Sequence, residues 1–144
     1  MTDMQTETML EMRTDGELSH SLEDYLEAIA DLAGDSNGSV RAVDVATKLG
    51  VSKASVSKAV ANLKEKGYVE QPYYGDITMT EEGYAYGSAM WLRHNLLFRF
   101  LTEKVGIDPE LANYEACQLE HGISRASFEK WKEYLASVGI EDLR

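Results

Sequence analysis

One cysteine, two prolines and two tryptophans in 144 residues put several architectures out of reach. A single cysteine makes no intramolecular disulfide, and it fits a reducing compartment where a thiolate survives as a metal ligand. No run of 18 or more apolar residues occurs, so no membrane-spanning helix is expected. The first residues, MTDMQTETMLEMRTDGELS, lack the basic start and apolar stretch of a signal peptide, and a cytoplasmic protein is expected. Internal repeats and low-complexity tracts are absent. Positive charge is scarce: 14 Lys and Arg stand against 25 Asp and Glu, a net charge of −11. Taken whole, that balance argues against nucleic acid, whose binding is dominated by phosphate neutralisation.

The distribution of charge argues differently. Between Ser39 and Tyr68 six basic residues (Arg41, Lys48, Lys53, Lys58, Lys64, Lys66) face two acids (Asp44, Glu65), a local balance of +4 that leaves −15 for the remainder. A basic patch on an acidic body is a candidate footprint for DNA. The 44% hydrophobic content supplies a core for one ordinary domain or two small ones.

Residues 1–18 are polar, acidic and aperiodic, and read as a mobile tail. Ser21 is expected to cap a helix whose inward residues are Leu22, Tyr25, Leu26, Ile29 and Leu32, ended by GDSNG at 34–38. A short strand at 39–41 precedes two helices, VDVATKLG closed by Gly50 and KASVSKAVANLKEKG closed by Gly67. Strands at 68–71 and 77–79 flank a hairpin turn. Thr80 should cap a helix running to about Val105, whose wide apolar stripe suggests contact with its own domain and with a second subunit. Asp108-Pro109 opens a further helix, and Ser124 caps a last one with Phe128, Trp131, Tyr134 and Leu135 inward.

Two helices joined by a tight turn and followed by a hairpin describe a winged helix-turn-helix. Ala46, four residues before Gly50, suits close helix crossing, and Val45, Leu49, Val51, Val56 and Ala59 are the expected inner positions. The fold expected is mainly α: a winged helix-turn-helix over 19–80, then an all-helical dimerisation domain over 81–144. The DNA-contact candidates are Arg41, Ser52, Lys53, Ser55, Ser57, Lys58 and Lys64, with Lys53 and Lys58 on phosphates and Ser55 and Ser57 on base edges. The bland alternative is a scaffold hairpin with a solvated lysine face. The hairpin tip, with Tyr73 and Tyr74 but no cation, makes a weak backbone grip.

Cys117, Glu120 and His121 in EACQLEHGI stand at i, i+3 and i+4, so one helical face would carry a thiolate, a carboxylate and an imidazole. That donor set suits a metal. Further donors are needed, and His94, Asp24 and Glu27 are candidates. Singly each has another explanation: a satisfied histidine for His94, first-turn acids for Asp24 and Glu27, a small core residue for Cys117.

The segments SLEDYLEAI, VSKASVSKAVANLKEKGYV, LRHNLLFRFL and EACQLEHGIS together resemble the diphtheria toxin repressor / manganese transport regulator family over about residues 20–138. That resemblance implies a dimeric, metal-activated winged-helix repressor that binds a palindromic operator in double-stranded DNA and controls metal-uptake genes. Its metal positions fall on Asp24, Glu27, His94, Cys117, Glu120 and His121. Asp24 and Glu27 resemble the manganese-sensing branch, whereas Cys117 stands where that branch has a glutamate and resembles the iron-sensing branch. Phe98 and Asn113 occupy two positions of the iron branch's ancillary site, which is therefore expected to be absent in its usual form. The C-terminal barrel domain of the iron branch is also expected to be absent. The implied mechanism is a metal bridging the DNA-binding and dimerising halves. Fe²⁺ or Mn²⁺ is the expected cofactor, with Zn²⁺ third. The rivals are a winged-helix regulator with a redox-sensing thiol at Cys117 and a metalloenzyme, the latter disfavoured because the acids are already used as ligands.

Overall fold

A computed structural model describes residues 18–35, 38–72 and 75–141. The expected tail thus lies outside the described residues except at Leu18, as do Tyr73 and Tyr74. The chain divides into two compact units, Ser19–Trp91 and the residues from Leu92 onward.

The first unit opens with α1 (His20–Asp35). Its cap is Ser19, not the expected Ser21: the Leu22 amide donates to Ser19 Oγ at 3.2 Å. Tyr25, Leu26 and Ile29 are buried as their spacing requires, whereas Leu22 and Leu32 are only half-buried. Glu23 is buried among them, and the Tyr86 hydroxyl donates to its carboxylate at 2.5 Å. The Tyr86 ring also meets Tyr68 edge-on.

After β1 (Ser39–Val40) come α2 (Ala42–Leu49) and α3 (Lys53–Glu65). Gly50 between them adopts the left-handed conformation, φ +67°, which a residue with a Cβ resists. Its amide donates back to Ala46, as does that of Val51. The two helices pack on one another, with Val45 and Ala46 of α2 and Val56, Ala59, Val60 and Leu63 of α3 buried. Leu49 is half-buried, and Val51, expected inside, is 37% exposed because it belongs to the turn.

The strand β2 (Val69–Glu70) is shorter than the expected 68–71, β3 (Ile77–Met79) has the expected bounds, and β1 joins them in an antiparallel sheet of order β1-β3-β2. Val40 pairs with Ile77 and Val69 with Met79. Arg41 has left the strand and precedes α2.

Thr80 caps α4 (Glu81–Phe100), accepting from the Gly83 amide at 3.0 Å and donating to Gly67 O at 2.7 Å. Two glycines let α4 come close to its neighbours. A Cβ on Gly83 would stand 1.8 Å from the Tyr68 carbonyl oxygen, and one on Gly87 would stand 2.8 Å from Ala30 Cβ. Gly83→Ala must therefore displace backbone. We expect a loss of about 3 kcal/mol or more, seen in calorimetry as a midpoint lowered by roughly 6–12 °C. An unchanged midpoint would mean that this approach is looser than described.

In the second unit α4 does not stay α-helical to Val105 as expected: Leu101–Val105 is π-helical, and Gly106 at φ +85° ends it. Then α5 (Pro109–Gly122) is capped by Asp108, and α6 (Arg125–Ser137) by Ser124. The core comprises Leu96, Leu97, Leu101, Ala112, Ala116, Phe128, Leu135 and Ile140. Trp131 packs against it, but Tyr134 is 53% exposed. Tyr134 lies roughly 120° around α6 from Phe128, off the face that Phe128 and Leu135 share. The fold is mainly α, a winged helix-turn-helix followed by a helical unit.

Candidate metal centre and nucleic-acid interface

In the second unit α4 and α5 bring three of the expected ligands together around Glu120. Its side chain is fully buried. Its Oε1 lies 3.6 Å from His94 Nδ1 and 3.4 Å from His121 Nε2. Neither carboxylate oxygen accepts a hydrogen bond from the described residues. Burying a carboxylate without such bonds is costly, so native structures rarely leave one this way unless an ion or reactive partner belongs there. Ligand atoms around a cation bonded at about 2.0–2.2 Å stand roughly 3–3.5 Å apart. The two separations at Oε1 are close to that spacing, and carboxylate with imidazole is a donor set for divalent metals. Cys117 is half-buried one turn earlier, its Sγ within 4.8 Å of a His121 ring nitrogen.

Arg93, adjacent to His94, was not singled out from sequence. Its guanidinium is buried, donates to the carbonyls of Glu120 (3.2 Å) and Ile123 (2.6 Å), and covers the Phe128 ring at 5.2 Å. The last carbonyls of a helix lack partners within it, and a cation there also favours the helix dipole. Arg93 thus fastens the end of α5 that carries Glu120 and His121. A signal existed: Met90, Arg93, Leu97 and Leu101 share one helical stripe, and the arginine is its only polar member.

In the first unit Asp24 and Glu27 are half-buried on α1, with carboxylate oxygens within 4.8 Å of one another. His20 Nε2 lies 3.6 Å from Asp24, an i, i+4 pair that sequence reasoning overlooked.

All seven DNA-contact candidates are exposed. Several have local partners. Ser52 caps α3, accepting from the Ser55 amide and donating to Ser55 Oγ. Lys64 donates to the Gln71 carbonyl at 3.1 Å. Arg41 meets Asp44 through two hydrogen bonds, 3.0 and 3.2 Å, and that bonding together with the Asp44 charge holds the guanidinium above its ordinary pKa. Ser57, Lys53 and Lys58 project from the open face of α3.

Two family models match this chain in tandem: the iron dependent repressor N-terminal DNA binding domain over residues 17–76, and the iron dependent repressor metal binding and dimerisation domain over residues 80–139. The chain belongs to the iron-dependent repressor family. All seven DNA-contact candidates, with Asp24 and Glu27, lie in the first match, and His94, Cys117, Glu120 and His121 lie in the second. Family members are metal-dependent transcriptional repressors, and the chain's relatives are named as regulators, not enzymes. An HTH-type transcriptional regulator of Methanocaldococcus jannaschii is 34% identical over 82% of this chain and 94% of its own length. The transcriptional regulator MntR of Escherichia coli is 30% identical over 83% of this chain and 76% of its own. A manganese-dependent transcriptional repressor, solved as its complex with manganese, superposes with a TM-score of 0.70 at 30% identity over 80% of this chain. The chain spans about half the length of that solved protein, 52%. Among the described residues no helix is long and apolar enough to cross a membrane.

Proposed function

We propose that this repressor binds a palindromic operator as a homodimer when Fe²⁺ or Mn²⁺ is plentiful, and so shuts off metal-uptake genes. The observation that carries the reading is Glu120, a fully buried carboxylate with no hydrogen bond from the described residues and two imidazole nitrogens within 3.6 Å. His94, Cys117, Glu120 and His121 would hold the cation, with Asp24 and Glu27 as the further acidic ligands implied by the sequence. A bound divalent cation supplies positive charge that offsets the clustered carboxylates. The carboxylates and imidazoles suit Mn²⁺ and Fe²⁺, and the Cys117 thiolate moves preference toward Fe²⁺ and Zn²⁺. Ligands drawn from α1 as well as from α4 and α5 would make metal occupancy and DNA affinity a single linked equilibrium, so that operator DNA tightens metal binding in return.

The test is fluorescence anisotropy of the metal-free protein on a labelled duplex from upstream of its own gene, under anaerobic conditions, with Mn²⁺, Fe²⁺ and Zn²⁺ titrated separately. Binding that appears with Mn²⁺ or Fe²⁺ and reverses with chelator supports the proposal. Binding indifferent to metal overturns it. In the metal-loaded protein Lys58→Ala should weaken operator and unrelated DNA alike, because a phosphate contact carries no sequence information. Ser57→Ala should weaken the operator alone, by about 1 kcal/mol or roughly fivefold. Equal losses from both variants on both duplexes would undo that division of roles.

A further inference from the structure

We propose that Asn113 sets the tautomer of His94, so that Nδ1 is the atom His94 offers to a cation; the inference rests on the metal reading above. His94 Nε2 lies 2.7 Å from Asn113 Oδ1. The ring also lies parallel to Phe98, one turn further along α4, with planes 6° apart and centroids 6.4 Å apart. An amide oxygen only accepts, so Nε2 must carry the hydrogen. A neutral imidazole has one N–H, which leaves the lone pair on Nδ1.

The other ring nitrogen supports the same assignment. Nδ1 points toward Glu120 Oε1 at 3.6 Å. A hydrogen on Nδ1 aimed at a buried carboxylate would draw the pair to about 2.7–2.9 Å. The observed separation is instead that of two acceptors with room for a cation. The rival arrangement turns the Asn113 amide so that its nitrogen donates to Nε2. Nδ1–H would then face Glu120, and no ring lone pair would be offered to metal.

Asn113 stands at one of the two positions that the resemblance assigns to the iron branch's ancillary site. In this chain the position would orient a ligand in place of being one. Partners that hold the far nitrogen of a ligating histidine typically contribute 10- to 100-fold in metal affinity. Asn113 is exposed, so water competes for the same nitrogen and the lower end of that range is expected.

The experiment uses the full chain labelled with ¹⁵N-histidine, at about pH 8, where imidazole is neutral. Long-range ¹H–¹⁵N correlation spectra report the tautomer directly, with His94→Gln identifying the His94 signals. We expect the metal-free wild type to show Nε2–H and an unprotonated Nδ1. Asn113→Leu should mix the tautomers, and Asn113→Asp, which keeps an acceptor, should restore Nε2–H. Anaerobic Co²⁺ titration followed by absorbance should show roughly tenfold weaker binding for Asn113→Leu and recovery for Asn113→Asp. An Nδ1–H signal in the wild type, or an Asn113→Leu variant with unchanged tautomer and Co²⁺ affinity, overturns the proposal. A wild type that takes up no Co²⁺ overturns the metal reading and with it the cation half of this inference, while the spectra still decide the tautomer.

Discussion

Glu120→Gln should raise the thermal midpoint of the metal-free protein and abolish its stabilisation by metal. In the wild type the carboxylate is fully buried and accepts no hydrogen bond from the described residues. Replacing it with a neutral amide of nearly the same shape removes a desolvated charge. From the cost of burying ions without full compensation, a gain of about 2 kcal/mol is reasonable. For a chain of this length that is roughly 4–8 °C in midpoint. Metal at a hundredfold excess over its dissociation constant should stabilise the wild type by about 2.7 kcal/mol, and the variant hardly at all. Calorimetry of both proteins, with chelator and with Mn²⁺, gives all four midpoints. A metal-free variant less stable than the wild type would mean that Glu120 is satisfied without a cation. An undiminished Mn²⁺ shift would remove it from the ligand set.

Arg93→Met should act in the opposite direction. It keeps the length of the stem but deletes the donors that meet the Glu120 and Ile123 carbonyls and the cation over Phe128. Two carbonyls at the end of α5 would lose their partner in an environment with little water. At about 1–3 kcal/mol for a buried group left unsatisfied, the loss should reach roughly 3 kcal/mol, or about 6–12 °C in midpoint. Hydrogen exchange should localise the change to the last turn of α5. If protection there is unaltered, the arginine is not what fastens it.

These two side chains mark where sequence reasoning stops. Caps and turns are decided within a few residues, and they were legible: Thr80, Asp108, Ser124 and the positive φ of Gly50 stand where local chemistry requires them. Ser19 and Ser21 are equally good caps on paper, and only the reach of the Ser19 hydroxyl separates them. Periodicity located Val56 and Ala59, yet Tyr134, also expected inside, lies off the face that Phe128 and Leu135 share. The pairings not anticipated are Glu23 with Tyr86 and Arg93 with two carbonyls, polar groups inside the stripes, and the exposed Asn113 with His94. Each depends on a partner 19 or more positions away, which neither composition nor spacing reveals. The π-helical turn at Leu101–Val105 was likewise invisible, since its residues favour an ordinary helix equally well.

The pairing of Arg41 with Asp44, and of Lys48 with Asp31, has a consequence for how DNA association responds to dissolved salt. A cation already matched by a neighbouring acid displaces few counterions when it meets a phosphate, because the acid must take up others. Lys53, Lys58 and Lys66 make no ion pair among the described residues. Of the six basic residues between Ser39 and Tyr68, two therefore contribute little to the ion release that makes such association favour dilute electrolyte. The acids of this chain would thus make the fall of DNA occupancy with rising ionic strength shallower than six unmatched cations would give, while the four remaining cations keep part of that dependence.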